Sequence, residues 1–274
     1  MTPTALTRET VDYLRELVQR ESGIAIEDGK DYLVLNRVTP LAQELGFPDV
    51  TQLVRHLRRS ATTPPGTVVA LVSALTTNET SWFRDPAVFA ALADHALPSL
   101  AAARAGRPLR MWSAACSTGQ EVYSLLIAAS ETPACAATDL QVLASDINPA
   151  MVERARAARY SDVEAVRGLS PERRARHFDQ VGTEYVVAAP LRAKVSFKTI
   201  NLTRPYPITT PFDLVLLRNV LIYFDVATKV EVLTRVRRVI APDGFLVLGT
   251  AESTLGISDA WAPVAGRRGL YRPA

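Results

Sequence analysis

From Arg107-Pro108 to about residue 250 the chain alternates short, continuously apolar runs with stretches of helical periodicity, a pattern that few folds accommodate. The apolar runs are Leu109 to Cys116, Leu140 to Ser145, Phe212 to Leu217 and Phe245 to Gly249. Runs this short, without polar alternation, read as strands covered on both faces. Helical patterns at Gln120 to Ala129, Pro149 to Ala158 and Ala227 to Ile240 lie between them. This is the βαβ alternation of a Rossmann-like, doubly wound parallel sheet with right-handed crossovers. One stretch breaks the pattern: Tyr185-Val186-Val187 and Val195-Ser196-Phe197 flank a turn at Ala188 to Pro190. It predicts a small antiparallel β hairpin, about residues 183–198, inserted in the sheet domain.

The first part of the chain has helical spacing throughout. Its apolar positions are Val11, Leu14, Leu17 and Val18, then Val34, Val38, Leu41 and Leu45, then Val50, Leu53, Val54 and Leu57. Gly23 and Gly46 stand where left-handed C-caps belong, and Thr62 to Gly66 breaks the chain before a fourth helix, Thr67 to Leu75. The expected organisation is an all-α N-terminal domain over 1–76 and a sheet domain over 77–274. Asp85-Pro86, an N-cap followed by proline at the first helical position, predicts a further helix running to about Ala103.

Composition narrows the function classes. No uninterrupted apolar run approaches the roughly 18 residues of a membrane span, so no direct membrane insertion is expected. Met1-Thr2-Pro3-Thr4 lacks the basic and apolar blocks of a signal peptide, and Cys116 and Cys135 form no C-x-x-C pair. A cytoplasmic protein without disulfides or a metal site is expected, acting as a monomer. The formal charge of +3 and an aromatic content of 7% do not make a nucleic-acid-binding surface.

Ligands of an open α/β sheet bind where strands give way to helices, and the loop Ala115 to Glu121 occupies such a place. It has neither the G-x-G-x-x-G of dinucleotide enzymes nor a P-loop lysine, which points to a ligand without phosphates. Asp146 closes the next apolar run, where a carboxylate can accept from both hydroxyls of a ribose. Asp146 could instead cap the helix that begins near Pro149. Loop and acid together favour the ligand.

Four further segments, with Ser145-Asp146, resemble the CheR family of chemotaxis receptor methyltransferases in order and spacing. They are Thr77 to Arg84 (TNETSWFR), Trp112 to Glu121 (WSAACSTGQE), Asn201-Leu202, and Arg218 to Phe224 (RNVLIYF). The resemblance implies S-adenosyl-L-methionine as cofactor, S-adenosyl-L-homocysteine as product, and glutamate side chains on cytoplasmic receptor helices as acceptors. It implies that Asn78, Thr80 and Arg84 lie against the cofactor's amino-acid end and methyl region. Glu121 and Asp146 would contact its polar groups, with Asp146 on the ribose, and Asn201 and Leu202 would frame the adenine. Arg218, Asn219 and Tyr223 would line the catalytic mouth, with Arg84 or Arg218 orienting the acceptor carboxylate.

The first loop departs from the family's usual Ala-Gly-Cys-Ser-Thr-Gly-Glu-Glu-Pro-Tyr-Ser: Ala115 replaces the glycine, Gln120 the first glutamate and Val122 the proline. A methyl group at Ala115 is expected to crowd the cofactor or shift the loop. A glutamate acceptor is already ionised at neutral pH and needs no general base, consistent with motifs that contain none of His56, His95 and His177. Arg55, His56, Arg58 and Arg59 form a basic cluster at the end of one helix, Lys30 and Arg37 belong to a second candidate face, and the helical domain that carries them could dock on a receptor helix. The segment Gly182 to Lys198 is short and has no Gly-rich loop, which argues against a tether to a C-terminal receptor peptide. Two other readings stay open: a nucleic-acid methyltransferase, against which the absence of an Asn-Pro-Pro-Tyr type motif counts, and an inactive cofactor-binding scaffold.

Overall fold

The computed structural model describes residues 7–27, 29–59 and 65–274, in two compact units. The Met1 to Thr4 segment and most of the Thr62 to Gly66 break lie outside the described residues.

The first unit comprises the chain up to Thr77 together with Tyr223–Thr228. Its helices are α1 (Arg8–Ser22), α2 (Asp31–Glu44), α3 (Val50–Arg59) and α4 (Pro65–Leu75). The periodic apolar positions explain the packing: Leu14, Leu17, Val18, Val34, Val38, Leu53 and Leu71 are buried in one cluster. The Thr7 hydroxyl accepts from the Thr10 amide at the start of α1, and Gly23, with φ 76°, ends it. Residues 223–228 join this unit through an antiparallel bridge between Ile24 and Phe224 and a 2.8 Å bond from the Ala25 N–H to the Tyr223 carbonyl.

The second unit is Asn78–Ile222 with Lys229–Ala274. Its strands are β1 (Leu109–Ala114), β2 (Leu140–Asp146), β3 (Arg159–Ser161), β4 (Phe178–Val181), β5 (Glu184–Val187), β6 (Val195–Thr199), β7 (Phe212–Leu217), β8 (Ile240–Leu248), β9 (Trp261–Pro263) and β10 (Leu270–Pro273). Its helices are α5 (Pro86–Ala91), α6 (Leu97–Ala103), α7 (Gln120–Glu131), α8 (Pro149–Ala157), α9 (Asp162–Val166), α10 (Pro171–His177), α11 (Ala189–Arg192) and, from Lys229 on, α12 (Val226–Val239). A π turn, Leu92–Ala96, joins α5 to α6. This run, Pro86–Ala103, is the one helix among the described residues long and apolar enough to cross a membrane. Its apolar side is used internally, with Val88, Phe89, Leu92, Leu97 and Leu100 in the core cluster.

Seven strands form the main sheet in the order β6-β2-β1-β7-β8-β10-β9, parallel from β6 to β8. The chain leaves β1 toward β2 on one side and returns to β7 on the other. The loops after β1 and β7 therefore diverge and leave a crevice at the strand ends. Register brings those ends into line: Ala114 faces Ser145 and Leu217, Leu217 faces Leu248, and Asp146 faces Thr199.

Three expectations need correction. The inserted antiparallel element is a three-stranded sheet, β3-β5-β4, in which β5 pairs with β4 and β3 and not with Val195 to Phe197. Residues 195–199 form edge strand β6 of the main sheet, parallel to β2. Val-Ser-Phe alternation suits an edge strand as well as a hairpin arm, so the sequence does not choose between partners. Asp85 precedes α5 but makes no capping bond; with φ 61° its carboxylate is turned away and accepts from Arg218. Ile240, read as the end of a helix, begins β8, which is five residues longer at that end than the apolar run from Phe245 implied.

Candidate active site

The first turn of the site follows β1. Ala115 and Ser117 have φ 66° and 50°, and Gly119 has φ 95°, so the loop passes three times through the left-handed region before α7 begins. Only Gly119 is required there on space as well as conformation: an added Cβ would lie 2.8 Å from the Tyr160 hydroxyl and 3.1 Å from the Ala155 Cα. The family's glycine at position 115 thus corresponds to a real backbone demand that Ala115 meets at a strain cost of about 1–2 kcal/mol.

Asp146 fastens this loop. Its Oδ2 accepts from the Ser117 N–H at 2.9 Å and its Oδ1 from the Asn148 N–H at 2.9 Å. The helix cap is supplied by Asn148, whose side chain accepts from the Ala150 N–H, so α8 does not need Asp146. Burial pushes the Asp146 carboxyl above its ordinary value, against the backbone N–H groups of Asn148, Ser117 and Ile147. A carboxylate has about four acceptor positions, so Asp146 keeps capacity beyond these backbone N–H groups, which suits a ligand that offers a vicinal diol.

The Asn78 to Arg84 segment is tied to the same loop. The Ser117 hydroxyl donates to the Asn78 carbonyl at 2.7 Å, and the Ser124 hydroxyl accepts from the Phe83 N–H at 3.0 Å. Asn78 and Thr80 line a cavity of about 400 Å³ with Thr118 and Gln120. Trp82 anchors the segment: its Nε1–H donates to the Glu164 carbonyl at 3.0 Å, and its ring packs edge-on against Tyr160 and Phe178. The inserted sheet thereby holds the segment that carries Asn78, Thr80 and Arg84.

The two candidate arginines differ. Arg218 is buried, and its guanidinium donates to Glu121 at 3.0 Å, to Asp85 at 2.9 Å and to the Arg84 carbonyl at 2.6 Å. Glu121 also accepts from the Ser113 hydroxyl at 2.8 Å. Burial raises the Glu121 carboxyl, with the Arg218 charge pulling it back. Arg218 is committed to the framework. Arg84 is only half-buried; its guanidinium donates to the Glu79 carbonyl at 3.0 Å and makes no ion pair among the described residues.

Asn201 and Leu202 follow β6, where the Ile200 N–H bonds the Asp146 carbonyl at 3.0 Å and brings them beside the second strand end. Leu202 is buried; the Asn201 Oδ1 accepts from the Thr203 N–H and hydroxyl and so closes its own turn. Asn219 has φ 57°. Tyr223 lies in the segment that groups with the helical unit. Hydrogen bonds thus join Asp146 through Ser117 to the Asn78 carbonyl, and Arg218 to Glu121, Asp85 and the Arg84 carbonyl, while Tyr223 groups with the helical unit.

The residue that sequence reasoning missed is Glu252. Its carboxylate accepts four backbone N–H groups: Asn219 at 2.7 Å and Gly249 at 2.8 Å on Oε2, Val220 at 2.9 Å and Leu221 at 2.8 Å on Oε1. No motif announces it. The one available signal is an acidic residue just beyond a buried strand end, the same signal that exposed Asp146.

The histidines all have structural contacts. His95 meets the Phe245 ring, His177 lies 3.5 Å from Glu131, and His56 stacks near Phe47. The basic group of the helical unit is partly consumed inside that unit. Arg37 donates to the Leu75 and Thr76 carbonyls at the end of α4, Arg58 pairs with Glu9, and Lys30 pairs with Glu27.

Comparison with known proteins gives a consistent result. Residues 78–269 match the SAM-binding domain of the CheR methyltransferases, and residues 9–76 match that family's all-alpha domain. The chain is 37% identical over 267 residues to chemotaxis protein methyltransferase 1 of Pseudomonas aeruginosa, covering 95% of this chain and 96% of that protein. It is 36% identical over 274 residues to the chemotaxis protein methyltransferase of Vibrio parahaemolyticus, covering 97% and 98%. With the chemotaxis protein methyltransferase of Escherichia coli it shares 33% identity over 245 residues, covering 88% and 82%.

Proposed function

Because this chain belongs to the CheR methyltransferase family and carries its SAM-binding domain, we propose that it methylates glutamate side chains of chemotaxis receptors in the cytoplasm, for sensory adaptation. The observation that carries the acceptor assignment is the contrast between Arg218, whose charge is spent on Glu121 and Asp85, and Arg84, whose guanidinium makes no ion pair among the described residues. A free cation beside the site suits an acceptor that arrives as a carboxylate.

The residues fit S-adenosyl-L-methionine through Asp146, a buried carboxylate with acceptor capacity beyond its backbone N–H partners and room for a ribose diol. Asn78 and Thr80 would hold the amino-acid end, and Asn201, Leu202 and Asn219 would frame the nucleoside. When bound, this cofactor supplies a methyl group on a sulfonium cation, so transfer to a carboxylate cancels both charges and leaves a methyl ester and S-adenosyl-L-homocysteine. Arg84 orients the acceptor oxygen, too weakly to stabilise the ground state at the expense of reaction. The buried Arg218 and Glu121, with the half-buried Asp85, keep the walls fixed and water out, which favours a reaction that loses charge. No residue need remove a proton, which matches a chain whose three histidines contact Phe47, Phe245 and Glu131 outside the site. Tyr223 enters this reading from the family resemblance alone, as a boundary of the transfer channel.

The test is incubation with labelled S-adenosyl-L-methionine and cytoplasmic fragments of the host's receptors, scoring methanol released by alkali. Label on receptor that alkali releases supports the reading. Unlabelled receptor from a chain that still binds S-adenosyl-L-homocysteine in a calorimeter would sink the acceptor assignment. Alkali-stable label on nucleic acid would replace it with the other enzyme reading.

A further inference from the structure

We propose that Glu252 is the positioning residue of this site: through four backbone amides it holds the turn after β7 in the one conformation that presents Asn219 to the cofactor. The inference rests on the reading of Asn219 as a cofactor contact.

The geometry separates this role from ligand binding. A carboxylate has about four acceptor positions. Glu252 fills all four with the N–H groups of Asn219, Val220, Leu221 and Gly249, at 2.7–2.9 Å, and so has none for a ligand. It makes no ion pair among the described residues, and its charge is met by converging peptide dipoles alone, as an anion is met in a backbone nest.

Three successive amides, 219 to 221, converge on one point because Asn219 adopts φ 57°, a region that asparagine tolerates better than most residues. Without an acceptor at that point, the left-handed turn would lose what offsets its strain. Asn219 is also fixed from its side-chain end. A Cβ on Gly249 would fall 2.7 Å from the Asn219 Nδ2 and 2.9 Å from the Glu252 Oε2, so the asparagine amide lies in space that only glycine leaves open. Glu252 holds the backbone of Asn219, and Gly249 admits its side chain.

A merely structural acid would affect stability and would act independently of Asn219. A positioning residue acts through Asn219, and a double-mutant cycle distinguishes the two. S-adenosyl-L-homocysteine affinity is measured by calorimetry on the full chain for wild type, Asn219→Ala, Glu252→Gln and the double variant, with melting temperatures recorded. Glutamine keeps one acceptor oxygen but turns an N–H₂ group toward two of the four amides. Asn219→Ala and Glu252→Gln are each expected to weaken binding about tenfold, and the double variant no more than about threefold beyond either.

If Asn219→Ala binds like wild type, the cofactor reading of Asn219 fails, and the proposal with it. If Asn219→Ala weakens binding while Glu252→Gln does not, or the two losses multiply, that reading stands and the positioning role is overturned. Should Glu252→Gln not fold, Glu252→Asp takes its place in the cycle, since it keeps the charge but draws the carboxylate back from the four amides. A loss masked by Asn219→Ala then supports the proposal, and an unmasked or absent loss overturns it.

Discussion

Two turns at the carboxyl end of the sheet are each organised by one buried acid, and the acids are loaded differently. Asp146 meets the backbone N–H groups of Ser117, Asn148 and Ile147. Glu252 takes two on each oxygen, from Asn219, Val220, Leu221 and Gly249. The first is left with acceptor capacity that burial makes expensive to leave unused, and a ligand diol can use it. The second is saturated and can serve only the chain. Counting donors against lone pairs therefore assigns a role to each carboxylate where burial and position alone would treat them alike.

The comparison is broken most forcefully by removing the saturated acid. Glu252→Ala strands four amides, each costing about 1–3 kcal/mol if it stays buried, so a destabilisation of about 4 kcal/mol or more is expected even if some find water. Denaturant unfolding measures it. A loss below about 1 kcal/mol would mean that the turn is held by something other than Glu252. Asp146→Asn removes less from the fold, since one amide oxygen remains, and more from the ligand. With charge-assisted bonds worth about 1.5–3 kcal/mol, S-adenosyl-L-homocysteine affinity should fall about 100-fold while the unfolding midpoint changes little. The reverse pattern, a large loss of stability with binding intact, would make Asp146 the structural acid.

How far this contrast was legible in the sequence depends on the range of the interaction. Asp146 could be read because its neighbours supply the context: a strand before it, Asn148-Pro149 opening a helix after it, and a turn one strand back. Glu252 could not, because its partners at 219–221 are more than thirty residues away and are backbone groups, which leave no mark on residue type. The four central strands were legible from their apolar runs. The short antiparallel strands β9 and β10 were not, because they carry charged or proline residues, and β4 (Phe178–Val181) hides in a polar stretch. The inserted sheet was legible as an element, yet β5 pairs with β4 and β3, since strand pairing depends on tertiary geometry and not on alternation. Arg84 and Arg218 look equivalent in sequence; only burial and partners show that one is committed and the other open.

A titration sharpens the contrast. Burial raises both Asp146 and Glu121 above their ordinary values, so the folded chain holds protons that the unfolded chain has released. The stability cost from these two groups is absent below the ordinary carboxylate range, grows as pH rises through it, and is complete above the raised values. Cofactor affinity should move oppositely, because only ionised Asp146 accepts from both ribose hydroxyls. Calorimetry with S-adenosyl-L-homocysteine from pH 8 down to about pH 5 should show affinity declining before ordinary carboxylates titrate. Asp146→Asn should flatten that decline; an unchanged slope in the variant would assign the proton to another group, Glu121 first.

The smallest expected effect concerns the loop that Asp146 fastens. Ala115 sits at φ 66°, where an L-residue other than glycine is strained by about 1–2 kcal/mol, and where the family usually has glycine. Ala115→Gly relieves that strain but also frees the unfolded chain, which opposes the gain by about 0.4–1 kcal/mol. The net should be a stabilisation of about 0.5 kcal/mol, a shift of a degree or two in melting temperature for a chain of this size. Cofactor affinity decides what the alanine methyl does: unchanged binding in Ala115→Gly means that the methyl stands clear of the ligand and the substitution is a matter of backbone strain. Binding tighter by more than about threefold would mean that the methyl crowds the cofactor or tilts the Ser117 amide away from Asp146. The hydrogen bond from Ser117 to Asp146, at 2.9 Å with Ala115 in place, favours the first outcome, since the loop already closes on its acid despite the strain.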